Sequence, residues 1–212
     1  MEKRVVISNG FDLDTFKPIP EDRELIRAEL GFSADHFLVG MFGRFHPVKD
    51  FPTLFQAVQM ISASFPKMRL VIAGDGINLN NQELMTMIAS AGLSNITAVL
   101  GTRSDMPRIY RAIDLMAMTS ISETGPLVIG EAMASGVPCI ATNVGICKKI
   151  IKNTGWIVSI GSPMEVAAAL RQAIEMDPSQ MKSIRERSRK IIEDQWSAAR
   201  MTQSYSDLYS KH

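Results

Sequence analysis

Cysteine is scarce: Cys139 and Cys147 are the only two in 212 residues, and both sit among apolar neighbours. That excludes a disulfide framework and predicts two reduced thiols. Charge of one sign is lacking too, since 23 Lys and Arg face 22 Asp and Glu for a net charge of +1. No broad basic field exists for nucleic acid, and there is no acidic tail. No segment reaches the roughly 18 consecutive apolar residues of a membrane span. Met1 to Gly10 lacks the apolar run of about 7–15 residues that marks a secretory signal. Internal repeats, low-complexity tracts and long linkers are absent as well. These absences predict a cytoplasmic protein. What is plentiful is apolar content, 46% of the chain, ample for one domain over residues 1–212. The 14 methionines read as core filling rather than metal ligands.

Short apolar runs alternate with helical patterns along the chain. The strands are predicted at Leu38–Phe42, Arg69–Ala73, Ile96–Leu100, Leu115–Met118, Pro138–Ala141 and Trp156–Ser159. Helices are predicted between them at Thr53–Ser64, Asn81–Ala91, Met106–Ala112, Leu127–Ser135 and Cys147–Ile151. An amphipathic helix, Glu21–Leu30, precedes the first strand. Three more follow the last, at Pro163–Met176, Ser179–Asp194 and Ser197–Tyr209, with Asp177-Pro178 as a start signal. This alternation predicts an α/β fold: a Rossmann-like, doubly wound parallel sheet of about six strands with helices on both faces.

Ligands of such sheets bind outside the carboxyl ends of the strands, near a switch in strand order. The stretch Glu123-Thr-Gly-Pro-Leu-Val-Ile-Gly-Glu131 crosses one such junction. Pro126 suits the first helical position, and the residue before a proline avoids helical geometry. Glu123 is therefore expected before the helix and Glu131 about a turn and a half inside it. The unpaired N–H groups of Leu127 and Val128 lie between the two acids. Together they suit a charged, polyhydroxylated ligand such as a nucleotide sugar. The helix from Pro126 carries Glu131 as its single charge, and a buried carboxylate needs donors. A sugar diol would supply them, as would an internal arginine or backbone amides. Glu123 admits a plainer role, complementing the helix dipole.

A second group is Arg44 and Lys49, in Phe42-Gly-Arg-Phe-His-Pro-Val-Lys-Asp50. Two cations at the carboxyl edge, beside a helix start, could neutralise a diphosphate; they could equally be solvated surface charges. His46 between them reads as a loop residue. The run Arg185-Glu-Arg-Ser-Arg-Lys190 reads as a solvated helix face with Ile184, Ile191 and Ile192 turned inward. Its other reading is a weak peripheral contact with anionic lipid head groups.

These residues resemble a known family. Glu123 and Glu131 in a Glu-x7-Glu motif, followed by Ala-Met-Ala-Ser-Gly-Val-Pro and Ala-Thr-Asn-Val-Gly, resemble the retaining glycosyltransferases of the GT-B fold, family GT4. Gly43-Arg44 with Lys49 is similar to the family's Gly-Arg-x4-Lys element, and Ser8 to Phe16 resembles the segment that opens its second domain. The resemblance runs from about Val5 to the end.

The resemblance implies a UDP- or GDP-sugar donor held by this domain, without a metal or other cofactor. Arg44 and Lys49 would bind the diphosphate and stabilise its departing charge, and Glu131 would hold the ribose hydroxyls. Glu123 would contact the donor sugar, with Gly43, Thr124, Gly125, Leu127 and Val128 around sugar and phosphate. Gly101, Thr102 and Arg103 would lie beside the base. Thr124-Gly125 stands where relatives commonly have Gly-Phe, and Asp50 where glycine is usual. The acceptor, a glycan, a lipid-linked sugar or a small molecule, would be bound by an amino-terminal half that is missing here. This chain alone is therefore expected to bind donor without turnover. Two other readings stay open: a nucleotide-sugar epimerase of related fold, and a non-catalytic nucleotide-binding or interaction module.

Overall fold

The computed structural model describes residues 5–210. Its sheet comprises β1 (Phe37–Phe42), β2 (Met68–Ala73), β3 (Thr97–Val99), β4 (Leu115–Met118), β5 (Cys139–Thr142) and β6 (Gly155–Val158). All pairs are parallel, in the order β3-β2-β1-β4-β5-β6. The chain runs outward from β1 to β3 and then returns to place β4 against β1, with Val39 opposite Leu115 and Gly40 opposite Met116. The switch in strand order therefore falls between β1 and β4.

The helices are α1 (Pro20–Glu29), α2 (Phe51–Ser62), α3 (Gln82–Ser90), α4 (Met106–Ala112), α5 (Leu127–Ala134), α6 (Cys147–Ile151), α7 (Pro163–Glu175), α8 (Pro178–Gln195) and α9 (Ala198–Tyr209). Successive strand residues point to opposite faces. Leu38, Val71, Met116, Cys139 and Ala141 thus join one core with residues of α4, α5, α6 and α8. Val39, Met41, Leu70, Ile72, Leu115 and Ile140 join another with residues of α2, α3 and α7. Both faces are covered, which is why the strands read as continuous apolar runs rather than alternating ones.

Several boundaries differ from the sequence expectation for identifiable reasons. β3 is shorter than Ile96–Leu100 because this edge strand ladders only with β2. Pro126 is the extended cap of α5 rather than its first helical residue (φ −70°, ψ 100°). α2 begins two residues early. Asp50 takes a left-handed conformation (φ 51°), and its carboxylate accepts from Thr53 N (3.3 Å) and Thr53 Oγ1 (2.6 Å).

The basic run of α8 is not simply a solvated face. Arg185 donates to Asp114 Oδ1 (3.1 Å), and Arg189 donates to the carbonyls of Phe16 (3.1 Å) and Ala134 (2.5 Å). Asp114 also holds Arg23 and Arg27. Arg27 is buried and donates in addition to the carbonyls of Ala112, Ala34 and His36. α9 buries no residue. It is anchored at its start, where Phe11 N donates to Trp196 O (2.8 Å) and Ala198 N donates to Phe11 O (2.9 Å).

Candidate functional site

Because β4 lies beside β1, the loop after β4 meets the turn after β1. His46 caps a single 3-10 turn, Pro47–Lys49, its Nδ1 accepting from Val48 N at 3.2 Å. Lys49 therefore stands on this turn, before α2 rather than in it. Thr119 Oγ1 donates to the carbonyls of Lys49 (3.0 Å) and Asp50 (2.8 Å), and Ile121 N donates to Val48 O (2.9 Å). Thr142 Oγ1 in turn donates to Ser120 O (2.5 Å). These ties bind three strand ends together.

On this frame Lys49 Nζ lies 2.5 Å from Glu123 Oε1, and Ser120 Oγ donates to the same oxygen at 2.9 Å. The lysine and glutamate side chains are only 18% and 16% exposed. A Cβ on Gly43 would stand 3.3 Å from Lys49 Cε, so the lysine stem lies against that glycine. A Cβ on Gly145 would stand 2.1 Å from Glu123 O, so only glycine lets the loop after β5 approach this closely.

Thr124 is exposed and Gly125 half-buried, and both lead into Pro126 and α5. No side chain caps α5, so the N–H groups of Leu127 and Val128 have no acceptor within the helix. Glu131 follows in the second turn, half-buried, with Oε2 accepting from Tyr110 OH at 2.8 Å. Burial raises the Glu131 carboxyl above its ordinary pKa, against the opposing pull of the Tyr110 hydrogen bond. The Tyr110 phenol is pushed up as well, by burial and then by the Glu131 charge. Its ring is wedged edge-on between Phe42 and Phe16, at 5.2 and 5.9 Å, so the hydroxyl is aimed rigidly.

Arg44 is exposed and has no side-chain hydrogen bond or ion pair among the described residues. In the loop after β3, Gly101 O accepts from Gly74 N at 2.9 Å and Thr102 is exposed. Arg103 forks onto Asp105 with bonds of 2.8 and 2.7 Å, an interaction that raises the arginine and lowers the acid. The structure thus brings Lys49, Glu123 and the start of α5 together, with Glu131 one turn further in. Arg103 is committed to a local partner.

Sequence reasoning missed Tyr110 and Ser120. Tyr110 carried a usable signal: an aromatic hydroxyl within a buried helical pattern needs a hydrogen-bond partner. Ser120 lies three residues before Glu123, in the loop after β4, but nothing local marks it as the second donor to Glu123. Among the described residues, no three His, Cys, Asp or Glu are grouped to hold a metal ion.

Fold and edge together define a Rossmann-like domain of the kind found in GT-B glycosyltransferases. The family described as Glycosyl transferases group 1 matches residues 22–202, and the chain belongs to it. It is 32% identical over 73% of its length to the UDP-Gal:alpha-D-GlcNAc-diphosphoundecaprenol alpha-1,3-galactosyltransferase of Escherichia coli, covering 41% of that protein. It is 37% identical over 66% of its length to the D-inositol 3-phosphate glycosyltransferase of Mycobacterium sp. (strain KMS), covering 32% of it. The chain therefore spans less than half the length of these curated relatives. Among solved structures, Anabaena Alr3699/HepE in complex with UDP-glucose superposes with a TM-score of 0.88 at 29% identity, over 98% of this chain and 57% of that one. The C-terminal domain of the group 1 family protein LpcC from Francisella tularensis superposes at 0.77 and 25% identity, over 89% of this chain and all of that one.

Proposed function

We propose that this chain is the donor-binding half of a retaining glycosyltransferase and that its donor is a UDP-sugar. The observation that carries the reading is the junction of Lys49, Glu123 and the uncapped start of α5 at the switch between β1 and β4. A diphosphate arriving there meets a cation, a helix N-terminus and the free guanidinium of Arg44. Lys49 exchanges Glu123 for phosphate oxygen, which frees Glu123 to accept from a hydroxyl of the sugar. Glu131 takes the ribose diol while Tyr110 occupies its Oε2. Thr124 to Val128 supply backbone donors, and Gly101 to Arg103 flank the base. Arg44 and Lys49 then stabilise charge building on the departing diphosphate, without a metal.

The uridine assignment draws support from the HepE complexes with UDP and UDP-glucose and from the UDP-galactose named for the E. coli relative. The acceptor, a glycan, a lipid-linked sugar or a small molecule, belongs to the other half of the cleft. Transfer needs both substrates in one near-attack geometry, of which the residues above supply the donor side. No described helix is long and apolar enough to cross a membrane.

Calorimetry with UDP, UMP, GDP and UDP-glucose tests this reading. UDP should bind more tightly than UMP or GDP, with Arg44→Ala narrowing the UDP-to-UMP difference and Glu131→Ala weakening both. No heat with any nucleotide, or equal affinity for UMP and UDP, would overturn it.

A further inference from the structure

Glu131 has one oxygen held and one free. Tyr110 OH donates to Oε2 at 2.8 Å, and Oε1 takes no hydrogen bond among the described residues. Tyr110 is fully buried, with its ring edge-on to Phe42 at 5.2 Å and to Phe16 at 5.9 Å. Phe42 ends β1, directly before Gly43 and Arg44. The hydroxyl that holds Glu131 is therefore braced against the strand end that leads to Arg44 and Lys49. A carboxylate turns easily about its last bond. One held at Oε2 cannot turn without losing that hydrogen bond.

Among the described residues, no cation pairs with Glu131; those on the elements around it have other partners. On α8, Arg189 is committed to the carbonyls of Phe16 and Ala134 and to Glu193. On α4, Arg108 and Arg111 pair with Glu29 and Asp22. On α6, Lys149 lies over the Trp196 ring. Cys147 of α6 and Cys139 of β5 are buried thiols that burial keeps protonated, and β4 has no titratable side chain. Burial pushes the Glu131 carboxyl up, and the Tyr110 hydrogen bond is what opposes it. The phenol is itself pushed up, so it stays a donor across the neutral range.

We propose that Tyr110 is a positioning residue for the donor, which sets selectivity for a ribose over a 2′-deoxyribose without touching the ligand. This rests on the donor reading above, in which Glu131 receives the ribose diol. With Oε2 pinned, Oε1 and the remaining lone pair of Oε2 keep one fixed plane, so two vicinal hydroxyls are answered together. A carboxylate free to turn follows a single hydroxyl, and the advantage of the second shrinks. The Tyr110 bond also favours the charged carboxylate, which accepts from both hydroxyls. A protonated carboxyl presents a donor in place of one acceptor.

Calorimetry of the full chain with UDP and 2′-deoxy-UDP, from about pH 5 to pH 8, tests the proposal. The proteins are wild type, Tyr110→Phe, Glu131→Gln and the double variant. Tyr110→Phe removes the hydroxyl and keeps the ring, so the wedge between Phe42 and Phe16 survives. Wild type should prefer UDP by about tenfold and Tyr110→Phe by about threefold. The pH below which UDP affinity drops should rise in Tyr110→Phe, because the carboxyl takes its proton sooner. The phosphate's own titration is common to every variant. Glu131→Gln has no proton to take, so adding Tyr110→Phe to it should leave the pH profile in place. Unchanged selectivity or an unmoved pH profile in Tyr110→Phe would overturn the proposal, as would a pH shift in the double variant. Absence of UDP binding, or wild-type selectivity in Glu131→Gln, would instead sink the donor reading itself.

Discussion

Lys49 and Glu123 are 74 positions apart in the chain, yet Nζ and Oε1 lie 2.5 Å apart in a crevice that leaves each side chain less than a fifth exposed. A cation and an acid both assigned to one ligand thus neutralise each other when that ligand is absent. Removing either strands the other in a poorly solvated place. Lys49→Met and Glu123→Gln should each destabilise the chain by about 1–3 kcal/mol, and the double variant should cost clearly less than their sum. Urea unfolding of the four proteins measures this; strict additivity would mean the pair is not coupled in solution.

The raised carboxyl of Glu131 gives a pH signature. Between the unfolded carboxyl's pKa of about 4.3 and the higher folded one, the native state holds the extra proton. Stability therefore falls as pH rises through that window and stays lower above it. Glu131→Gln keeps an acceptor for Tyr110 but carries no charge, so it should raise the melting temperature at pH 7 and not at pH 4. The same change should weaken UDP binding, setting stability against function at one residue. Melts at the two pH values decide it, and an equal shift at both would refute the assignment.

Gly130 lies inside α5, where alanine normally stabilises a helix by about 0.5–1 kcal/mol. Here a Cβ would stand 1.9 Å from the ring of Phe11, which is itself buried. Gly130→Ala should instead lower stability by about 2 kcal/mol, since the ring must be displaced from a packed site. Adding Phe11→Leu should recover part of that loss in chemical denaturation, and no recovery would place the strain elsewhere.

Asp50 holds a left-handed backbone at φ 51° and caps α2 through Thr53. Asp50→Gly removes the strain along with the cap, so the two effects should nearly cancel. Asp50→Ala loses the cap and keeps the strain, and should cost about 2 kcal/mol. Both variants lack the cap, so equal melting temperatures would show that the left-handed backbone carries no strain.

The chain's own pattern determined the order of strands and helices, the residues at the carboxyl edge and the family motifs. Each of these is written in local periodicity or in spacing within one loop and helix. Runs such as Leu115–Met118 and Met106–Ala112 appear as read because buried strands and amphipathic helices announce themselves within a few residues. Only the tertiary structure decided who touches whom. Lys49 meets Glu123 because β4 returns to β1, and Glu131 finds Tyr110 rather than an arginine or a backbone amide. Two apparent surface cations of α8, Arg185 and Arg189, turn inward, toward Asp114 and toward backbone carbonyls. These contacts join residues 21 to 173 positions apart. Strand order sets them, and strand order is a balance of packing over the whole sheet that no local window contains.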